Sequence, residues 1–332
     1  MRVLVTGAAG FIGSTVAHRL LARGDSVIGV DNLNDYYSVA LKENRRDRLI
    51  EFGGDRFTFL HQDFSDMGGL TAGLAGMEFD GIIHLGAQAG VRYSIENPHA
   101  YVQANLVGHL NMLEIARHRG VGHMVYASSS SVYGGNTKLP FSVDDRVDHP
   151  LSLYAATKKA DELMSETYAH LYRLPLTGLR FFTVYGPWGR PDMMMWIFTR
   201  KILAGEPIPV FNRGEMWRDF TYIDDIVSGV VACLDSPPAD DNLEKAGGST
   251  KPHALYNIGN HRSEHLMKVI ELLEQECGRK AEKELLPMQD GDVQRTFADI
   301  DAIQQAVGYQ PTTPIEVGVP RFVEWYRQYH RQ

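Results

Sequence analysis

The sequence predicts an α/β protein: a doubly wound parallel sheet followed by a smaller α/β lobe toward the C-terminus. Three observations carry this. Short apolar runs alternate with helical stretches through the first 180 residues, the pattern of strands buried on both faces and joined by crossover helices. The chain opens on an apolar strand, Val3–Thr6, that runs straight into a glycine-rich turn, Gly7-Ala8-Ala9-Gly10-Phe11-Ile12-Gly13. After about residue 180 the alternation loosens, and short elements lie among prolines and glycines.

Taken in order, the strand candidates are Val3–Thr6, Ser26–Val30, Phe57–His61, Gly81–Leu85, His123–Ala127 and Leu176–Arg180. Helices are expected over much of 12–23, 36–52, 99–119 and 152–172 between them. Beyond these come a short element at Ile208–Phe211, an exposed loop over 235–253, and helices at 264–276 and 314–329, the first ending near Gly278. The run Ala254–Ile258 reads as a strand returning to the large sheet. The expected division is therefore a first domain over 1–180, with return segments near 218–260, and a second lobe drawn mainly from 181–332.

Composition narrows the class. With 332 residues, 22% charged and 44% hydrophobic, the chain is that of a globular protein able to bury a sizeable core. A net charge of -8 argues against a nucleic-acid partner held by phosphate contacts. Cys233 and Cys277 lack metal-site spacing, so no metal is expected and a reducing compartment is. No apolar run approaches the about 18 residues of a membrane span, and the first strand begins at residue 3. A cytoplasmic protein with no membrane partner is the expectation.

A glycine turn between strand and helix lets backbone approach a diphosphate and aims a helix N-terminus at its charge. Twenty-one residues beyond Gly10, Asp31 closes a second apolar run, Val27-Ile28-Gly29-Val30. A carboxylate at that point meets the adenosine ribose of a dinucleotide. It accepts hydrogen bonds from the ribose hydroxyls of NAD and repels the extra phosphate of NADP. The following Asn32-Leu33-Asn34 bring no cation to hold that phosphate. The first domain reads as a Rossmann-type NAD-binding unit.

Tyr154 and Lys158 stand four residues apart, so a helix puts phenol and ammonium on one face. A neighbouring positive charge favours phenolate, the form that removes a proton from a substrate hydroxyl while hydride leaves the carbon. The same pair also suits the solvated face of an amphipathic helix. Upstream residues separate these readings: Ser128-Ser129-Ser130-Ser131-Val132-Tyr133-Gly134 follows the strand candidate His123–Ala127 at its carboxyl end. Ligands of open parallel sheets bind there, and serine hydroxyls can hydrogen-bond a reacting oxygen.

Over nearly its whole length the chain resembles the extended short-chain dehydrogenase/reductase family and, within it, the nucleotide-sugar epimerases and dehydratases. The resemblance rests on Thr6–Gly13, Asp31, Asp63-Phe64, His84–Gln88, Asn105, Ser128–Gly134, Tyr154 with Lys158, Arg180–Pro187 and Arg218-Asp219-Phe220. It implies NAD held by Gly7, Gly10, Phe11, Ile12, Gly13, Asp31 and Asn32, by Asp63 and Phe64 at the adenine, and by Leu85, Ala87, Gln88 and Asn105 along the cofactor. Tyr154 is then the catalytic base, Lys158 binds the nicotinamide ribose, and Ser129 lies beside the reacting oxygen, with Ser130 as the alternative for that role. The resemblance also implies a homodimer built on the helices near 100–118 and 152–170.

The downstream half speaks for a UDP-sugar. In relatives the arginine matching Arg218 holds the diphosphate, a task suited to a planar guanidinium, although a lone arginine there is equally a surface residue. Val210 and Phe211 offer an apolar face to uracil. The segment Arg180–Met193 and the runs Asp31–Tyr37 and Gln88–Ser94, the latter containing Arg92, are similar to UDP-glucuronate 4-epimerases. Many relatives acting on neutral sugars carry Asn in place of Thr183, and UDP-xylose synthases carry Glu in place of Ser131. Thr183, Ser130 and Ser131 offer a hexuronate carboxylate neutral donors, with Arg190 as a charged neighbour. The implied reaction is NAD-dependent 4-epimerisation of UDP-glucuronate to UDP-galacturonate through a 4-keto intermediate. Its alternatives are 4-epimerisation of a neutral UDP-hexose, decarboxylation of UDP-glucuronate, and a non-catalytic NAD-sensing module. Two departures stand out: Ala89 replaces a lysine of the relatives, and the loop Met288-Gln289-Asp290-Gly291-Asp292 lacks an arginine found in UDP-galactose enzymes.

Overall fold

The computed structural model describes residues 1–289 and 291–331; Asp290 of the late loop lies outside the described residues. Its strands are β1 (Arg2–Thr6), β2 (Ser26–Asp31), β3 (Phe57–His61), β4 (Gly81–His84), β5 (His123–Ser129), β6 (Leu176–Phe181), β7 (Thr183–Tyr185), β8 (Ile208–Val210), β9 (Trp217–Tyr222), β10 (His253–Ile258), β11 (Ser263–His265) and β12 (Lys283–Leu285). Seven form one sheet in the order β10-β6-β5-β4-β1-β2-β3, and every neighbouring pair is parallel. From β1 the chain builds outward first through β2 and β3, then on the other side through β4, β5 and β6. That reversal opens a crevice beyond the carboxyl ends of β1 and β4.

Alternation along the strands splits the core between the two faces of the sheet. Val3, Val5, Ile83, Val125 and Leu179 pack on one side, in a cluster that continues through Ile226, Trp196 and Phe322. Leu4, Ile82, Met124, Tyr126 and Leu176 pack on the other with Met112 and Leu113. The first cluster runs without a break from the large sheet into the C-terminal residues. Smaller sheets, β11-β9-β7 and β12-β8, extend that side.

Two differences from the sequence reading bear on the site. The expected helix over 99–119 is broken into Pro98–Tyr101, a π-helical stretch Val102–Val107, and Gly108–Arg119. Such wide turns recur where a helix must redirect a side chain, and this one carries Asn105. The helices Met194–Ala204 and Ile223–Leu234 emerge from a region whose prolines and glycines mask their periodicity. Among the described residues no helix is long and apolar enough to cross a membrane.

Candidate active site

The glycine turn is shaped by close approach. Gly7 has φ +69°, and a Cβ on it would lie 2.8 Å from Gly86 N. A Cβ on Gly13 would strike the Gly7 carbonyl oxygen at 2.0 Å. Helix Phe11–Arg23 starts at Gly10 with no side-chain cap and no acidic residue in its first turn. Leading N–H groups of a helix left this way favour an anion, so the turn fits a dinucleotide diphosphate. Asp31 ends β2 and accepts the Ala9 N–H at 3.0 Å and the Leu33 N–H at 2.9 Å. Asn32 donates to Asp63 at 2.9 Å. Burial opposes ionisation of Asp63, but hydrogen bonds from Ser65 and Asn32 outweigh it and hold the carboxyl below its usual range. The Phe64 ring is turned inward, packed where a Cβ on Gly86 or Gly108 would be, and its carbonyl accepts from Asn111 at 3.0 Å.

Past β4 the chain is sewn to the helix Leu153–Tyr172. Asn105 exchanges hydrogen bonds with the Gln88 backbone, at 2.9 Å to its N–H and 3.1 Å to its carbonyl, and donates to Thr157 Oγ1 at 3.0 Å. Leu85 and Ala87 lie in the same segment, and Ala89 and Gly90 accept from the Tyr101 hydroxyl. Thr6 Oγ1 accepts from Gly86 N–H at 3.1 Å and meets His84 Nδ1 at 2.6 Å. Burial and the Lys158 charge push His84 down to about 3, so its ring is neutral.

Helix Leu153–Tyr172 is capped by Ser152, whose hydroxyl accepts the Ala155 N–H at 3.1 Å. Tyr154 lies half-buried in its first turn, edge to face with Tyr101. One turn on, Lys158 is buried; its ammonium donates to Ala127 O at 2.9 Å and Asp161 Oδ2 at 3.1 Å. An ammonium has three donors, which leaves one for a ligand. Burial raises Asp161 to about 7, against the pull of Lys158. The strand end opposite is braced by a pair the sequence reading missed: Arg180 grips Glu162 at 2.8 and 2.9 Å, both side chains buried. Glu162 also accepts the Ser128 hydroxyl at 2.7 Å. Ser129 closes β5, and its Oγ accepts the Ser131 N–H at 3.2 Å.

Ser130, Ser131, Thr183 and Arg218 line one cleft with Ser152 and Asp292. Register explains part of this: Thr183 of β7 sits opposite Phe220 of β9, two residues from Arg218. Thr183 also borders an adjoining hollow with Phe11 and Arg190. Arg218 donates to Asp292 Oδ1 at 3.1 Å, while Arg92, largely exposed, reaches the same carboxylate at 4.0 Å. Arg190 forks onto Asp192 at 3.0 and 2.5 Å. Val210 departs from the sequence reading. It is fully buried in β8, so only Phe211, under the Arg92 guanidinium, keeps an apolar face. Among the described residues no group of His, Cys, Asp or Glu is arranged to hold a metal.

The sequence profile of the NAD dependent epimerase/dehydratase family matches residues 3–259. The chain belongs to that family. It is 48% identical, over 100% of its own length and 98% of the relative's, to a probable UDP-glucuronate 4-epimerase of Rhizobium meliloti. It superposes on the UDP-glucuronic acid 4-epimerase of Bacillus cereus, crystallised with UDP-glucuronic acid and NAD, with a TM-score of 0.86 at 31% identity, covering 99% and 100% of the two chains. A UDP-glucose 4-epimerase of Thermotoga maritima fits equally, with a TM-score of 0.86 at 30% identity over 99% and 100%. Backbone shape is thus common to enzymes of charged and neutral sugars, and the choice of sugar lies in side chains.

Proposed function

We propose that this chain interconverts UDP-glucuronate and UDP-galacturonate by reversible oxidation at C4 of the sugar. The observation that carries the reading is a cleft with hydroxyls at Ser130, Ser131 and Thr183 and a guanidinium at Arg218, beside the helix that holds Tyr154 and Lys158. NAD, when bound, would supply the acceptor and donor of the C4 hydride, and return to the opposite face of the sugar would invert that carbon. Tyr154 accepts the C4 hydroxyl proton and later gives it back. Ser129 hydrogen-bonds the same oxygen. Lys158 would place its remaining donor on the nicotinamide ribose. Gly7, Gly10, Phe11, Ile12 and Gly13 cradle the diphosphate, Asp31 and Asn32 the adenosine ribose, Asp63 and Phe64 the adenine edge, and Leu85 through Gln88 with Asn105 the remainder.

Arg218 holds the substrate diphosphate, with Arg92 beside it, while the sugar swings to present its other face. The ketone at C4 is β to the carboxylate, an arrangement that loses carbon dioxide when the breaking bond overlaps the carbonyl π system. Thr183, Ser130 and Ser131 hold the carboxylate near the ring plane, where overlap is poor. Arg190, already paired with Asp192, adds little net charge. Incubation with UDP-glucuronate should yield UDP-galacturonate by proton NMR; a UDP-pentose as main product would assign decarboxylation instead.

The reading extends to organisation. Residues 1–180 with the returning strand β10 serve the cofactor, and 181–332 mainly the substrate. A homodimer through the helices Gly108–Arg119 and Leu153–Tyr172 is supported by exposed Leu110, Leu153 and Leu163 on them; light scattering at twice the 37.2 kDa chain mass is the expected result. The two cysteines, buried and unpaired, support a reducing, cytoplasmic setting.

A further inference from the structure

Arg45 is a buried cation with no paired anion among the described residues. It lies in helix Val39–Gly53 with 0% of its surface exposed. Nη1 donates to Ala9 O at 3.1 Å and to the Tyr37 hydroxyl at 2.8 Å; Nη2 donates to Trp188 O at 2.5 Å and Gly189 O at 2.9 Å. All four acceptors are neutral, and the buried Nε has no partner. The field of Asp31 reaches Arg45, but the carboxylate oxygens of Asp31 are turned to backbone N–H groups of Ala9 and Leu33. A guanidinium withdrawn from water without an anion is strongly unfavourable. It gains most when a ligand brings the missing negative charge.

Position indicates which ligand. Ala9, whose carbonyl Arg45 holds, immediately precedes Gly10, where the uncapped helix begins. Trp188 and Gly189, held by the other nitrogen, precede Arg190. Trp188 adopts φ +63°, a conformation costly for a bulky residue and secured here by its carbonyl bond to Arg45. One side chain thus ties the glycine turn to the substrate-side segment.

We propose that Arg45 is a positioning residue for cofactor retention: the diphosphate of the bound dinucleotide completes its charge, and its bonds to Ala9 and Gly189 keep the two segments in register. The proposal rests on the NAD reading above. A reaction that returns its own hydride needs a cofactor that stays through the cycle, and a buried charge satisfied only by that cofactor slows its loss.

The test compares ADP with adenosine as calorimetric ligands for the full chain freed of nucleotide, alongside the NAD retained per chain after gel filtration. Wild type should bind ADP at least tenfold more tightly than adenosine. Arg45→Met should reduce that preference about tenfold and elute depleted of NAD, with adenosine affinity little changed. Arg45→Lys keeps the charge and should retain most of the preference; it also serves if Arg45→Met fails to fold. Equal weakening of both ligands in the variants, or an unchanged ADP preference, would overturn the proposal. A wild-type chain that binds neither ligand would instead remove the NAD reading on which it stands.

Discussion

The cofactor end and the substrate cleft are built on different principles. At the cofactor end the working groups are buried and fixed within the frame: Asn105 between Gln88 and Thr157, and Lys158 between the Ala127 carbonyl and Asp161 of its own helix. In the cleft the arginines rest on carboxylates, Arg218 on Asp292 and Arg190 on Asp192. The first region is organised before any ligand arrives. Under the proposed reading, the second trades ion pairs within the protein for ion pairs with the substrate, so that the sugar is gripped by its diphosphate and still rotates.

The largest test of this contrast is at the chemical end. Tyr154→Phe should lower kcat by about 10²–10⁴-fold with an unchanged melting temperature, since the residue is only half-buried at the start of its helix. A residual rate within tenfold of wild type would move the proton acceptor elsewhere. Arg218→Met should act on binding. A charged hydrogen bond contributes about 1.5–3 kcal/mol, so KM for the UDP-sugar should rise about 10–100-fold with kcat less affected; the reverse split would make Arg218 part of the rigid frame.

The buried frame has its own signature in pH. Burial, with the Lys158 charge acting the same way, holds His109 well below its usual range, and His84 sits at about 3. In the unfolded chain both take protons near pH 6.5. The stability they confer is therefore present above pH 6.5 and lost as pH falls toward the folded values. Melting temperature should drop through that window, and His109→Phe should flatten the drop; an identical slope would place the acid sensitivity in other groups. The smallest expected effect is on the exchanging side. Asp292→Asn removes the competitor for Arg218 in a half-buried pair, and an ion pair that keeps contact with water contributes about 1 kcal/mol or less. KM should therefore fall by no more than about fivefold; a rise would mean that Asp292 positions Arg218 rather than competing with it.

What the sequence made legible follows the same division. Strand–helix alternation, the glycine turn and Asp31 are local signals, and they carry the parallel sheet covered on both faces, while the order of its seven strands comes from the fold. Tyr154 and Lys158 were legible because four residues on a helix make one face. Arg45, Glu162 and the π-helical turn at Asn105 were not, since each takes its meaning from partners brought together by the fold, up to 144 residues away. Val210 misled because an apolar residue in a short strand looks the same whether it faces a ligand or the core. The acid partners of Arg190 and Arg218 were in view, but whether they pair or oppose depends on side-chain direction, which only the fold supplies.

The central claim is that C4 is oxidised and reduced within one cleft without the hydrogen leaving. UDP-glucuronate carrying deuterium at C4, followed by NMR through several turnovers, tests it most directly. The expected result is UDP-galacturonate and UDP-glucuronate at equilibrium, both with deuterium retained at C4. Loss of the label to water, or its appearance in a UDP-pentose alongside carbon dioxide, would contradict the account.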